Sequence, residues 1–366
     1  MNHGWEKKKL GDVCTKSSSN IQQGKLSLVD DGYEIFGASG LIGKVDFFQQ
    51  PSEYIGIVKD GSGVGKTNVY PPKTSVIGTM QYILPNPGVS TKYLCYAIKS
   101  LNLSKYVNGA AIPHIYFRDY QKEQIPIPSI EQQQAIVAEL DALNEAIEMK
   151  RKQLKALDAL AQALFYDTFG DPVENPKGWE IKTLSGIATI QTGATPSRKK
   201  QNNFAGSIPW VKTTEVHNCD IFSTEEHISE TALNESNCKI FPIDTILIAM
   251  YGQGKTRGQV ARLKIAASTN QACAAILPNS DLNQTFLFRL LRCSYEDLRG
   301  KAIGGNQKNL NLLLIKKYPV ILPPLPLQQH FAAQVEEIER GKENVEATIA
   351  RLQTLLDSRM DYWFND

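Results

Sequence analysis

The chain has 366 residues, of which 42% are hydrophobic and 21% charged, a composition typical of a folded globular protein. It contains no apolar run near the roughly 20 residues that span a bilayer, and its basic first ten residues lack the apolar stretch of a secretory signal. The six cysteines are scattered, with no CxxC pair. The sequence therefore predicts a cytoplasmic protein without a disulfide framework or a structural zinc site.

Charge alternates along the chain. Lys and Arg outnumber Asp and Glu by four in residues 1–125 and by five in residues 171–318, whereas acidic residues are in excess by three in 126–170 and by four in 319–366. The formal net charge of +2 therefore hides two mildly basic regions, as expected if those regions contact a polyanion. Differences this small also fit ordinary variation of surface charge.

The chain contains one unit twice. Gly4-Trp5-Glu6 recurs as Gly178-Trp179-Glu180 at an offset of 174, and the segment 75–86 aligns with 268–279 at an offset of 193. Residues 125–133 resemble 321–329 at an offset of 196, which pairs Gln132-Gln133 with Gln328-Gln329. The marks follow the same order in both halves, and the growing offset places insertions in the second half. Two copies are too few for a solenoid and favour a pseudo-twofold arrangement.

Each copy ends in a predicted long helix. Residues 131–165 contain neither Gly nor Pro. Within this range a set of mostly apolar residues, called the stripe residues below, recurs at alternating spacings of four and three, which is a heptad pattern. The second copy repeats the spacing, although Gly341 weakens it by roughly 1 kcal/mol relative to Ala. The stripe residues are Ile136, Leu140, Leu143, Ile147, Lys150, Leu154, Leu157, Ala161 and Leu164, then Phe331, Val335, Ile338, Lys342, Val345, Ile349, Leu352, Leu356 and Arg359.

A helix of about 35 residues is roughly 50 Å long, and a narrow stripe on an otherwise charged surface cannot be buried along its whole length by its own lobe. We therefore expect the two helices to pack on each other as a coiled coil, with separate amphipathic core helices as the alternative. Gly170-Asp171-Pro172 should end the first helix.

Outside these helices, short apolar runs bounded by Gly, Pro, Asn and Asp predict mixed α and β lobes. The predicted divisions are a first lobe (1–125), a first long helix (126–170), a second lobe (171–318) and a second long helix (319–366).

The nearest approach to an enzymatic motif lies at residues 60–67, which end in Gly65-Lys66-Thr67 after a predicted strand, as a phosphate-binding P-loop does. Asp60 stands where the motif requires Gly, and its carboxylate would repel a nucleotide phosphate. The five histidines do not cluster at metal spacing, and no familiar catalytic signature is present, so an NTP-using enzyme is the least favoured class. The glycine-rich loops beside Lys66, Lys255 and Arg257 suit contact with a nucleic-acid backbone or groove, or are ordinary basic hairpin turns.

Polar and basic side chains able to contact phosphates or base edges are plentiful in both lobes, and for any one of them a solvated surface role is the simpler explanation. The candidates are Lys44, Lys59, Lys66, Asn108 and Arg118 in the first lobe, and Arg198, Lys199, Lys212, Thr213, Lys255, Arg257, Asn306 and Lys308 in the second.

Several of these marks together resemble the specificity subunit of a Type I DNA restriction-modification system. The resemblance is carried by the Gly-Trp pairs that open each copy, by Thr192–Pro196 with Ile208-Pro209-Trp210, by residues 267–272, and by Ile125-Pro126-Ile127-Pro128 with Gln132-Gln133 ahead of a heptad helix. The first lobe departs from the pattern, because Lys16-Ser17-Ser18-Ser19-Asn20 stands in place of Thr192–Pro196 and it has no Ile-Pro-Trp.

That resemblance implies a mixed α+β (α/β) fold with two pseudo-symmetric target-recognition lobes separated by two long antiparallel helices. It also implies a non-catalytic subunit that recognises a split asymmetric sequence in double-stranded DNA. Its partners would be two methyltransferase subunits, which use S-adenosylmethionine, and restriction/translocase subunits, which use ATP and Mg²⁺; the specificity subunit itself would bind no cofactor or metal. The alternative is a coiled-coil scaffold whose lobes bind a protein or a glycan.

Overall fold

The computed structural model describes residues 4–109, 112–252, 254–304 and 308–365, and it divides into two compact units. One unit comprises Met1–Lys152 with Glu346–Asp366, and the other comprises Gln153–Val345. The division falls inside both long helices, so each unit holds one lobe and part of each helix. The predicted boundaries between lobes and helices stay a prediction.

In the first unit, β5 is the buried centre of the larger sheet, which has the strand order β2-β8-β5-β6. A second sheet has the order β4-β3-β7, and β1 pairs with β9. The strands are β1 (Lys7–Lys9), β2 (Cys14–Ser18), β3 (Tyr33–Gly37), β4 (Gly40–Val45), β5 (Tyr54–Val58), β6 (Thr67–Tyr70), β7 (Ser75–Val76), β8 (Met80–Pro85) and β9 (Gln124–Pro126). The helices are α1 (Leu10–Val13), α2 (Thr91–Ser100), α3 (Phe117–Tyr120) and α4 (Ile130–Phe169), which continues into the second unit.

The second unit repeats this plan. Its larger sheet has the order β11-β18-β15-β16-β13, its smaller sheet has the order β14-β12-β17, and β10 pairs with β19. The strands are β10 (Ile181–Thr183), β11 (Ile190–Thr192), β12 (Ile208–Val211), β13 (Cys219–Ile221), β14 (Glu226–Ile228), β15 (Ile246–Ala249), β16 (Val260–Leu263), β17 (Ser268–Thr269), β18 (Cys273–Ile276) and β19 (Pro319–Ile321). The helices are α5 (Leu184–Ile187), α6 (Glu230–Glu235), α7 (Gln284–Cys293), α8 (Tyr295–Gly300), α9 (Leu312–Lys317) and α10 (Leu325–Phe364), which continues into the first unit.

Strand register establishes which residues of the two copies are equivalent. Ile55 lies opposite Ile83 in the first unit, and Ile246 lies opposite Ile276 in the second. The predicted offsets of 174 and 193 are therefore confirmed, the first by β1 and β10 and the second by β8 and β18. The predicted offset of 196 is wrong by one position, because β9 and β19 begin at an offset of 195, as do α4 and α10.

This correction identifies a pair of buried glutamines. Gln133, not Gln132, is equivalent to Gln328, and the two are 0% and 1% exposed. Gln133 Oε1 accepts from the Ser90 backbone N–H at 2.9 Å, and Gln328 Oε1 accepts from that of Asn283 at 3.0 Å. Ser90 and Asn283 are the N-cap residues of α2 and α7, so in each copy the first turn of a long helix is tied to the start of the helix that covers the sheet.

The long helices pair within each unit. Each has 40 residues rather than about 35, and so is about 60 Å long. In the second unit Asp158 lies 2.7 Å from Lys342, and the Phe165 and Phe331 ring centroids are 5.7 Å apart. The contacts move forward along α4 and backward along α10, so the two helices run antiparallel. In the first unit the Glu139 carboxylate accepts from Arg359.

The stripe residues are buried or half-buried, and the predicted coiled-coil pairing is confirmed in each unit. Gly170, at a φ of +78°, follows the last residue of α4, as its sequence predicts. α10 continues through Gly341 without a break.

Candidate nucleic-acid interface

The loop that resembles a P-loop connects two antiparallel strands. Ile57 on β5 pairs with Thr67 on β6, so Lys66-Thr67 leads into a strand, whereas a P-loop leads into a helix. The Gly65 N–H donates to the Val58 carbonyl, and the Val58 N–H to that of Lys66, which makes this segment a tight hairpin loop. This topology argues against the NTP-binding interpretation.

The hairpin between β15 and β16 is the equivalent loop of the second unit. The Ala249 N–H donates to the Gln259 carbonyl, and in the first unit the Val58 N–H donates to the Lys66 carbonyl. Gln259 is therefore the equivalent of Lys66. Lys255 and Arg257 lie within the longer second loop. Lys66 is therefore at a different position from Lys255 and Arg257, and the predicted likeness of the two loops is limited to their glycines.

Two side chains of α8 hold this second loop in place. The Tyr295 hydroxyl donates to the Lys255 carbonyl at 2.6 Å. The Arg299 guanidinium donates to the carbonyls of Gly254 and Arg257 at 2.5 and 3.1 Å. Sequence reasoning missed both residues, because nothing in the pattern of α8 shows that it lies against a loop far earlier in the chain.

A second loop lies beside each hairpin. In the first unit Asn108 and His114 form a β-bridge, and the Ile115 N–H donates to the Lys59 carbonyl at 2.9 Å. In the second unit Ile303 and Asn309 form the equivalent bridge, and the Leu310 N–H donates to the Met250 carbonyl at 3.0 Å.

The loop pairs bring part of the predicted set together. Lys59 and Asn108 lie on the paired loops of the first unit, with Lys66 on the same hairpin loop as Lys59, and Arg118 lies on α3, which follows the second of these loops. In the second unit the Arg257 guanidinium donates to the Lys308 carbonyl, and Lys255 lies on the same hairpin. Asn306 lies outside the described residues.

The remaining candidates of the second unit form another group, on its smaller sheet. Arg198 and Lys212 both contact the Glu226 carboxylate, at 2.8 and 3.2 Å. Burial acts to raise the pKa of Glu226, but the hydrogen bonds from Lys212 and Arg198 outweigh it and leave the pKa below its ordinary value. The Arg198 guanidinium also lies 4.3 Å from the Phe204 ring centroid. Lys199 is exposed beside this group.

This second group is also where the motif segments of the second lobe meet. The Trp210 indole N–H donates to the Ala194 carbonyl at 3.1 Å, and Asn270 donates to the Thr213 hydroxyl at 3.0 Å. Segments that are distant in the sequence therefore form one surface. In the first unit, Lys44 lies on β4 opposite Glu34, and within the described part of that unit it makes no hydrogen bond or ion pair with Lys59 or Arg118.

Much of the positive charge of these groups is already balanced. Lys59 pairs with Asp60, and Lys212 pairs with Glu225 as well as Glu226. Arg118 lies 3.6 Å from Asp119 but has a 75% exposed side chain. The assignment of any of these residues to a DNA contact stays a prediction.

The described ranges contain no group of three or more His, Cys, Asp and Glu side chains arranged to hold a metal ion. None of the helices within those ranges is long and apolar enough to cross a membrane. The six cysteines are free, and burial raises the pKa of Cys14 and of Cys273 to about 12.

The fold thus defines a duplicated mixed α+β protein in which each copy packs on a pair of antiparallel long helices. The family model described as "Type I restriction modification DNA specificity domain" matches residues 2–159 and again residues 176–354. The chain belongs to this family.

Characterised relatives are similar along most of the chain. The Type I restriction enzyme MjaIX specificity subunit of Methanocaldococcus jannaschii is 26% identical over 299 residues, covering 75% of this chain and 68% of the relative. The EcoDI specificity subunit of Escherichia coli is 22% identical over an alignment of 404 residues that covers 97% of this chain and 86% of the relative.

Solved structures confirm the fold. The crystal structure of the Type-I restriction-modification system S subunit from M. genitalium has a TM-score of 0.61 at 18% identity, with 100% of this chain and 97% of that chain covered. A chain from a study of complex assembly and conformational transition of the type I R-M system also has a TM-score of 0.61, at 17% identity and with 99% and 97% covered. The predicted fold class and family resemblance are therefore confirmed.

Proposed function

We propose that this protein is the DNA-sequence specificity subunit of a Type I restriction-modification enzyme, in which each lobe recognises one half of a split, asymmetric site. The observation that carries the proposal is the duplication itself: two copies of one unit, each packed on antiparallel segments of the same two helices. Family membership over nearly the whole chain supports it. A divided site requires two recognition surfaces held at a fixed separation. A pair of packed helices is stiff enough to fix that separation.

In this proposal the subunit contributes recognition and assembly, and its partners contribute the chemistry. Methyltransferase subunits would supply methyl transfer from S-adenosylmethionine, and restriction/translocase subunits would use ATP and Mg²⁺. The helix segments 126–170 and 319–366 carry net charges of −3 and −4, which disfavours contact with DNA and leaves their outer faces to protein partners.

Exchange of one lobe tests the proposal. Residues 178–318 would be replaced by the equivalent lobe of another member of the family, and the modified sequence would be mapped in cells that supply the methyltransferase partner. We expect one half of the methylated site to change and the other half to be retained. An unchanged methylation pattern would refute the assignment of recognition to this lobe.

A second experiment tests whether the helix pair fixes the spacing between the two half-sites. Because α4 and α10 pair antiparallel, with Leu157 4.0 Å from the Cβ position of Gly341, one heptad inserted after Leu157 should be matched by one inserted after Gly341. Each heptad adds about 10 Å, equivalent to about three base pairs. We expect the paired insertion to lengthen the unread spacer or to abolish methylation, and insertion into α4 alone to misalign the pairing. If the paired insertion leaves the methylated site unaltered, the helices do not set the spacing.

A further inference from the structure

A cavity of about 460 Å³ opens beside the paired loops of the first unit. It lies where β2, β8 and the end of β5 meet the segment leading into α3. Its polar lining residues include Lys16, Lys59, Asp60, Gln81 and Arg118, and its aromatic wall is formed by Tyr116 and Phe117. One carboxylate against three cations leaves a positively charged cavity. Its volume lies within the range of roughly 300–1,000 Å³ typical of small-molecule sites.

The second copy shows that the fold does not require these polar residues. Strand register makes Ile190 the equivalent of Lys16, and Ala274 the equivalent of Gln81. The counterpart of Thr192 is therefore Ser18, and the sequence alignment that placed Lys16 there is wrong by two positions. Met250 occupies the position of Lys59, because the Lys59 carbonyl accepts from the Ile115 N–H and the Met250 carbonyl accepts from the Leu310 N–H, just before α3 and α9 respectively. Ile190, Met250 and Ala274 are 6%, 2% and 0% exposed, so the second lobe fills this position with apolar side chains.

A buried amide forms the floor of the cavity. Gln81 is 1% exposed, and its amide nitrogen donates to the Tyr120 hydroxyl at 2.5 Å. This bond uses one of the two amide N–H groups, so the other N–H and the carbonyl oxygen have the donor-acceptor pattern that matches a base edge. In the second copy Ile315, also buried, takes the place of Tyr120.

The rim combines an aromatic ring with cations. Tyr116 is 45% exposed, and the Arg118 guanidinium lies 4.7 Å from the centroid of its ring. Lys16 donates to the Ser18 hydroxyl, and Lys59 is paired with Asp60. Aromatic faces stack on bases, and Lys and Arg bind phosphates.

We propose that this cavity binds one nucleotide, with its base between the aromatic wall and the Gln81 amide and its phosphate at Lys16, Lys59 and Arg118. Two sources have this chemistry: a nucleotide of the DNA target turned out of the duplex, or a free mononucleotide. The first source rests on the proposed function, and the second does not. A concave site with a buried amide cannot receive the edge of a base pair that stays stacked in the duplex. The ligand that fits is therefore a whole nucleotide.

The test compares the two sources directly. For the DNA source, 2-aminopurine would be placed at each position of the first half-site, in a duplex bound by the complex with its methyltransferase partner, and its fluorescence would report unstacking. For the free source, binding of the four deoxynucleoside 5′-monophosphates would be measured by calorimetry. We expect one of the two signals. Lys59→Met should weaken nucleotide binding at least about 10-fold, as loss of a hydrogen bond to a charged phosphate predicts, and Gln81→Ala about 2- to 10-fold, as loss of a neutral hydrogen bond to a base predicts.

Both variants introduce the residue that the second lobe carries at the same position. Gln81→Ala also leaves the buried Tyr120 hydroxyl without its donor, whereas the second lobe has Ile315 there, so circular dichroism would check that each variant keeps its fold. Lys99→Met, on α2, removes a lysine of the same lobe that does not line the cavity, and should leave the signal unchanged. If the wild-type complex binds its duplex but shows neither fluorescence increase nor mononucleotide binding, the nucleotide inference is wrong and the proposed function stands. Failure of the lobe exchange would instead overturn the proposed function.

Discussion

Removal of the Glu339 carboxylate should destabilise the second unit, because it leaves a buried guanidinium without its partner. Arg289 on α7 donates to Glu339 on α10, and the two side chains are 6% and 33% exposed. Burial and the nearby Arg292 already lower the pKa of Arg289. The Glu339 carboxylate also lies 3.1 Å from Lys342, but that ammonium retains Asp158 as a second partner.

The expected magnitude follows from this difference in burial. Breaking a fully buried ion pair costs about 3–5 kcal/mol, but Glu339 is one-third exposed, so water can partly replace it. We therefore expect Glu339→Ala to lower the free energy of unfolding by about 2–3 kcal/mol. For a unit of this size that corresponds to a fall in Tm of about 4–12 °C.

The first copy supplies the matched control. Its equivalents of Arg289 and Glu339 are Tyr96 and Asn144. Asn144 donates to the Tyr96 hydroxyl at 3.0 Å, and that hydroxyl donates to Asp141 at 2.7 Å, whose equivalent in the second unit is Glu336. The double variant Arg289→Tyr with Glu339→Asn installs that pair, and should lie within about 1 kcal/mol of wild type, since replacing a buried ion pair as a whole is often neutral.

Urea denaturation and amide exchange of α7 would measure both variants. The reasoning is refuted if the cost of Glu339→Ala stays within about 0.5 kcal/mol, the range of an ordinary surface substitution. It is equally refuted if the double variant is as unstable as the single one.

Three further predictions concern the glutamine contact, pH and salt. Gln328→Ala should cost about 1–3 kcal/mol in urea denaturation, because it leaves buried polar groups unpaired, whereas Gln329→Ala, at an exposed neighbouring position, should be close to neutral. The Arg359 guanidinium lowers the pKa of Glu139 below its ordinary value, so the pair stabilises the fold fully at pH above the unfolded pKa and this stabilisation is lost as the pH falls through the folded pKa. Glu139→Gln should flatten this acidic part of a stability-pH profile, and an unchanged profile would exclude the pairing. Replacement of Lys255 and Arg257 by Gln should weaken DNA binding and reduce the slope of log K against log salt by about one per lost phosphate contact; an unaltered slope removes this loop from the interface.

The sequence predicts the helices and the duplication well because both leave local signals. A heptad stripe depends on residues three or four positions apart, so the pairing face of α4 and α10 can be identified without knowing the rest of the fold. The end of α4 is equally local, since Gly170 adopts a φ of +78° that few other residues tolerate. The sequence alignment of the two buried glutamines is wrong by one position, because adjacent glutamines at each site allow two alignments and only the β9 and β19 pairing decides between them.

The recognition residues could not be predicted to the same depth, because their grouping depends on contacts distant in the sequence. Lys59 and Arg118 line one cavity only because the Ile115 N–H reaches the Lys59 carbonyl, and Arg198 and Lys212 meet only at Glu226. A composition count treats all four as surface cations. The structure shows that Lys212 is largely balanced by carboxylates, whereas Arg118 is mostly exposed.

Comparison of the two copies separates the residues that the fold needs from those it does not. Gln133 and Gln328 occupy equivalent positions and make the same backbone contact, as expected of residues that hold a helix in place. Lys59 and Met250 also occupy equivalent positions but differ entirely in chemistry, although the backbone contact is retained. Two lobes that recognise different half-sites must differ where they touch DNA and agree where they support the helices. The positions that diverge beside the hairpin loops are therefore the first places to look for specificity, and the contacts that both copies share at the helix starts are the first places to look for stability.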